Sequence, residues 1–150
     1  MRAKFDNGDY RPLIEVKLTM AGVSQNVWML IDTGADRTTI APDLAEALTG
    51  VDFDHLGDPG PEIRGMGTAM TPSREADASL TYLGRTIDFH IWVAPTPYPV
   101  LGRIDFMRNF QCHFFWDRTP PEFSVERAPN RGKPGPAPAP NPTIRPKRKH

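Results

Sequence analysis

The chain has very few thiols: Cys112 is the only cysteine in 150 residues. An internal disulfide is therefore excluded, and a reducing compartment is compatible with the sequence. No apolar stretch approaches the roughly 20 residues of a membrane-spanning helix. The opening Met1-Arg2-Ala3-Lys4-Phe5-Asp6 lacks the apolar run of a secretory signal. These absences lead us to expect a soluble cytoplasmic protein. No Gly-x-Ser-x-Gly elbow and no Gly-rich phosphate loop is present. His55, His90, His113 and His150 are scattered, without ligand spacing to Cys112. No metal and no cofactor is expected. Cys112 stands in an apolar run and reads as an inert, buried thiol.

Acidic residues are absent from one end. Residues 127–150 carry seven Lys and Arg, no Asp or Glu, and seven of the 17 prolines. Such a segment cannot bury enough apolar surface to offset its ordering entropy, so it reads as a disordered tail. The remaining residues, 1–126, hold 11 basic and 18 acidic groups, a net of −7. An acidic body argues against a nucleic-acid face on the folded part. The basic tail leaves open a weak polyanion contact, although a solubilising end is the simpler reading. The length suits one domain over 1–126 with a modest core.

Within that body the pattern is one of short strands. Leu13 to Met20 alternates apolar and polar residues, as a half-buried strand does. Gly22 to Gln25 supplies turn chemistry, and Val27 to Ile31 reads as a second strand. Thr38-Thr39-Ile40 is β-branched and extended. Pro42 suits a helix N-terminus, Asp43 to Leu48 continues it, and Gly50 stops it. Residues 52–61 read as a loop. Ile63 to Thr68 has the glycines of a hairpin tip. Ala76 to Tyr82 and Thr86 to Val93 form a hairpin around Leu83-Gly84-Arg85. Ile104 to Asn109 reads as a short helix, and Phe110 to Trp116 and Glu122 to Val125 as closing strands. Trp28, Trp92, Phe114 and Trp116 read as core or interface. An all-β barrel or sandwich-like domain with one or two short helices is expected.

Chemistry concentrates at Asp32-Thr33-Gly34. An Asp before Gly commonly makes a structural Asx turn, and the tripeptide alone leaves that reading open. Its context narrows the choice. A buried strand delivers the Asp, and Ala35 after it is small. A chance Asp-[Thr/Ser]-Gly-[Ala/Ser] in a chain this long is on the order of one in a hundred. A glycine-bearing hairpin follows, and Val100-Leu101-Gly102-Arg103 adds a second apolar-apolar-Gly element.

These residues resemble the retropepsins, the retroviral-type aspartic proteases, over roughly 10–126. The helix at 42–48 is closer to cellular and bacterial members. The resemblance implies a closed β fold and an aspartic endopeptidase with its active site between two subunits. Two carboxyls held together can share one proton, one then acting as base and the other as acid. One Asp-Thr-Gly in so short a chain implies a homodimer. By the same resemblance Asp32 would be catalytic, Thr33 would bond across the dimer axis, and Gly34 would present a carbonyl to the peptide. Ala35 and Asp36 would contact substrate, and Arg103 after Gly102 would brace Asp36. Arg64, Gly65, Met66 and Gly67 would form the flap over the peptide. Arg37 is either a solvated charge or a specificity residue. The alternative is a weakly catalytic module that dimerises or binds peptides.

Overall fold

The computed structural model describes residues 2–3, 10–64 and 70–129. Fourteen elements follow one another. They are β1 (Arg2–Ala3), β2 (Leu13–Met20), β3 (Val23–Ile31), β4 (Thr39–Ile40), α1 (Pro42–Thr49), a 3-10 turn (Phe53–His55), β5 (Asp58–Pro59) and β6 (Ile63–Arg64). Then come β7 (Met70–Thr71), β8 (Arg74–Tyr82), β9 (Arg85–Val93), β10 (Val100–Leu101), β11 (Phe110–Phe115) and β12 (Glu122–Arg127). The strands run β2-β3-β10-β4-β9-β8, and β8 pairs back to β2, closing a six-stranded mixed barrel. Closure leaves no free edge in that ring. The expected all-β barrel is therefore the observed one, with one α-helix and one 3-10 turn.

Local chemistry explains the elements. Both long hairpins turn on an Xaa-Gly pair with both residues at positive φ: Ala21 (49°) with Gly22 (78°), and Leu83 (48°) with Gly84 (72°). Such two-residue turns match the twist of antiparallel strands. Pairing consequently resumes at once, Met20 with Val23 and Tyr82 with Arg85. This corrects the broader turn expected over Gly22 to Gln25: β3 begins at Val23. In α1, Pro42 opens the helix and Gly50 closes it in the left-handed region, its N–H donating to Glu46 at 2.7 Å. Ala45 and Leu48 turn inward onto the barrel.

The interior is filled by alternate residues, among them Ile14, Leu18, Met29, Leu80, Ile91 and Leu101, each at most 1% exposed. A second sheet is ordered β1-β12-β11. Phe106 stacks on Phe110 at 4.7 Å, and Tyr82 of the barrel meets Phe110 edge-on at 5.6 Å. These rings join sheet to barrel; truncating Phe106 to Ala would cost about 3–5 kcal/mol.

Three expectations change. Ile104 to Asn109 is a series of turns: Met107 N–H donates to Gly102 C=O at 3.2 Å and Asn109 N–H to Phe106 C=O at 2.9 Å, while the Asp105 carboxylate accepts from Phe106 N–H at 2.7 Å. The segment 52–61 holds the 3-10 turn and β5 within the loop. Trp28 and Trp116 are 56% and 60% exposed, so neither belongs to the core. Among the described residues no helix is long and apolar enough to cross a membrane. The tail reading falls mostly on 130–150, outside the described residues.

Candidate active site

Asp32 stands where β3 ends. Its N–H donates to Leu101 C=O at 3.2 Å, and Leu30 N–H donates to Pro99 C=O at 2.9 Å. β10 thus runs parallel to β3 and carries the ladder to the Asp itself. The chain then turns sharply. Gly34 N–H donates to Asp32 Oδ1 at 2.9 Å, and Ala35 N–H to Asp32 C=O at 3.1 Å. The Asx-turn bond is therefore present and occupies one carboxylate oxygen. Asp32 and Ala35 are half-buried, while Thr33 and Gly34 are exposed.

The segment after the turn is fastened to the one after β10. Arg103 N–H donates to Ala35 C=O at 2.9 Å, and Ile104 N–H to Asp36 C=O at 2.8 Å. The Arg103 guanidinium pairs with the Asp36 carboxylate. Gly102 is required by contact: an added Cβ would lie 2.3 Å from the Arg37 carbonyl carbon and 2.6 Å from Thr38 N. Gly102 N–H donates to Thr38 Oγ1 at 3.1 Å. Thr38 in turn gives its N–H and its hydroxyl to Asp105, and Asn109 Nδ2 donates to Asp105 C=O at 2.7 Å. Asp105 is only 7% exposed. A buried carboxylate with every near donor engaged is what such a site needs.

Sequence reading thus brought together Asp32, Thr33, Gly34, Ala35, Asp36, Gly102 and Arg103, and the fold makes them neighbours. It missed Thr38 and Asp105. The one available signal was an acidic residue inside an otherwise apolar run three positions after Gly102. Arg64 ends β6, exposed, and makes no hydrogen bond or ion pair with the Asp32 loop. Gly65, Met66 and Gly67 lie outside the described residues. The flanks of that hairpin are paired, Ile63 with Thr71 and Arg64 with Met70.

Register defines the surface beside Asp32. Leu13, Leu30, Val100, Thr39, Trp92 and Glu75 are successive partners across β2, β3, β10, β4, β9 and β8. They share one face, opposite the interior set of Ile14, Ile31, Leu101, Ile40 and Val93. Strand alternation puts Asp32, two residues past Leu30, at that same face. The row is half-buried apart from Thr39, which is 9% exposed. It is a largely apolar floor with a carboxylate at its edge. Elsewhere, Cys112 is half-buried and not fully buried as expected, and that burial pushes its thiol up to about 11. Among the described residues no cluster of His, Cys, Asp and Glu could hold a metal.

A family model for aspartyl proteases matches residues 16–103. The chain belongs to that family. Among solved structures it is similar to EIAV protease complexed with the inhibitor HBY-793, with a TM-score of 0.52 and 24% identity. That match covers 67% of this chain and 88% of the other. The fold is the retropepsin-like one. No curated protein sequence matches the chain.

Proposed function

We propose that two copies of this chain form an aspartic endopeptidase, with one Asp32 from each supplying the catalytic pair. The reading rests on one observation above all: Asp32 directly follows β3, whose last residue Ile31 is buried, in a turn whose far side is fastened to Gly102 and Arg103. Family membership supports protease chemistry in general. Hydrolysis without metal needs one group to take a proton from water and another to give one to the carbonyl oxygen. Two carboxyls sharing a proton do both, and they titrate as a pair. One Asp-Thr-Gly per chain makes the second copy necessary.

Further features agree with this assignment. Gly34 binds only Asp32 Oδ1, so Oδ2 has no hydrogen-bond partner among the described residues and is available to water or to the second carboxyl. The Thr33 hydroxyl has none within the described chain either, which suits a bond across a dimer axis. Asp36, braced by Arg103, and Ala35 would flank an extended peptide, recognised by main-chain pairing. Arg64, Gly65, Met66 and Gly67 would close over it as the flap.

The purified protein should cleave a peptide library at mildly acidic pH, and a statine-type inhibitor should block it. Asp32→Asn should abolish cleavage, and sedimentation should give twice the monomer mass. Cleavage that survives Asp32→Asn would refute the mechanism. Peptide binding without turnover across the acidic range would instead favour a binding module.

A further inference from the structure

Two adjacent charges in the loop after Asp32 have different fates. Asp36 turns to Arg103 and is neutralised there. Arg37 has no carboxylate partner among the described residues. Its guanidinium carbon lies 5.7 Å from the centre of the Trp92 ring. Trp92 belongs to the floor that starts beside Asp32, two register steps from Val100 through Thr39. The cation therefore sits over the same face that Asp32 borders.

The backbone beneath it is fixed. Ala35 and Asp36 carbonyls accept from Arg103 and Ile104, and Thr38 N–H is held by Asp105. The Arg37 carbonyl accepts from Thr39 Oγ1 at 3.1 Å. Only the side chain of Arg37 is left to adjust, and it stays within cation–π reach of the indole. Glu75 is the register partner of Trp92 on β8, yet it makes no ion pair with Arg37. The neighbouring Arg74 donates to the Leu56 and Gly57 carbonyls and is engaged there.

We infer that Arg37 is a specificity-determining residue that selects an Asp or Glu side chain of the peptide at a subsite over Trp92. This rests on the reading that Asp32 is the catalytic carboxylate and its face the peptide floor. A planar guanidinium with no carboxylate partner among the described residues offers a peptide carboxylate two parallel hydrogen bonds. A Lys or Arg side chain at the same place meets like charge. The whole chain carries no formal net charge at pH 7, so it exerts no net long-range pull on acidic peptides. Selection therefore comes from contact at Arg37 and not from steering.

The test uses matched peptides at about pH 5, where Asp and Glu are mostly ionised. The wild-type protein should favour Asp or Glu over Asn or Gln at one position by about tenfold in kcat/KM. Arg37→Gln should remove that preference, and Arg37→Glu should turn it towards Lys and Arg. The wild-type preference should also weaken with added salt, a readout independent of any variant's folding. Binding of the same peptides to Asp32→Asn protein, measured by calorimetry, separates the two readings. Cleavage without an acidic preference, or one unchanged in Arg37→Gln, overturns the role of Arg37 alone. Arg37-dependent binding of acidic peptides without cleavage upholds it and overturns the protease reading. Neither binding nor cleavage overturns both.

Discussion

Thr38 and Asp105 lie 67 positions apart and meet through both oxygens of one buried carboxylate. Thr38 N–H donates to Oδ2 at 2.8 Å and its hydroxyl to Oδ1 at 2.6 Å. The bond pair ties the loop that follows Asp32 to the turns that follow Gly102. Replacing Asp105 with Ala would strand two buried backbone N–H groups and a hydroxyl. We expect a loss of about 3 kcal/mol or more by chemical denaturation. Asp105→Asn keeps the shape and one acceptor, and should lose roughly half as much. A loss under about 1 kcal/mol for the alanine variant would contradict this account.

Gly102 should tolerate no side chain. Its Cβ would meet the backbone of Arg37 and Thr38 at 2.3 to 2.6 Å, and backbone cannot swing aside. Gly102→Ala is expected to cost about 1–3 kcal/mol and to displace residues 35–38. Peptide hydrolysis should fall further than the remaining folded fraction explains. Equal losses in folding and activity would argue that the loop position is immaterial.

The Asp36–Arg103 pair should behave in the opposite way. Its side chains are 56% and 55% exposed, so solvent screens it and the stability at stake is about 0–1 kcal/mol. Arg103→Lys keeps the charge but loses the planar fork. We expect a nearly unchanged melting temperature with a clear drop in kcat/KM. A double-mutant cycle with Asp36→Asn would measure the coupling.

The 3-10 turn after α1 carries a pH-sensitive contact. Asp52 accepts from His55 Nδ1 at 2.6 Å. That bond, before any other cause, raises the His55 pKa above its ordinary 6.5 and lowers that of Asp52 below 3.8. The His55 contribution is complete below 6.5 and is lost as pH rises through its raised pKa. The Asp52 contribution is present above 3.8 and is lost as pH falls through its lowered pKa. The turn should therefore be best held between these ordinary values. NMR titration of the His55 ring should return towards 6.5 in Asp52→Asn.

Cys112 should resist alkylation. With its thiol near 11, about one molecule in a thousand is thiolate at pH 8. Iodoacetamide should label native protein far more slowly than denatured protein. Equal rates would show the thiol to be accessible and unshifted.

Much of this was legible in the residues themselves. The Leu13–Met20 alternation, the turn at Leu83-Gly84, and Pro42 and Gly50 at the ends of α1 act over a few residues, and each appears where its chemistry put it. The Asp-Thr-Gly turn and the Gly102-Arg103 element were visible as motifs. Ile104 to Asn109 misled because its pattern is helical while its one buried acid, Asp105, is committed to Thr38 on a distant loop. No local rule reports where a carboxylate will find partners 67 residues away.

The sequence by itself determined that Asp32 would end a strand and enter a tight Thr-Gly turn, because period-two burial and glycine geometry are local. Only the tertiary structure decided what holds that turn. Parallel pairing of β10 with β3, the contact of Gly102 with Arg37, and the burial of Asp105 against Thr38 all arise from barrel closure. Closure also set Arg37, which has no carboxylate partner among the described residues, over Trp92, since register across non-consecutive strands chose that neighbour.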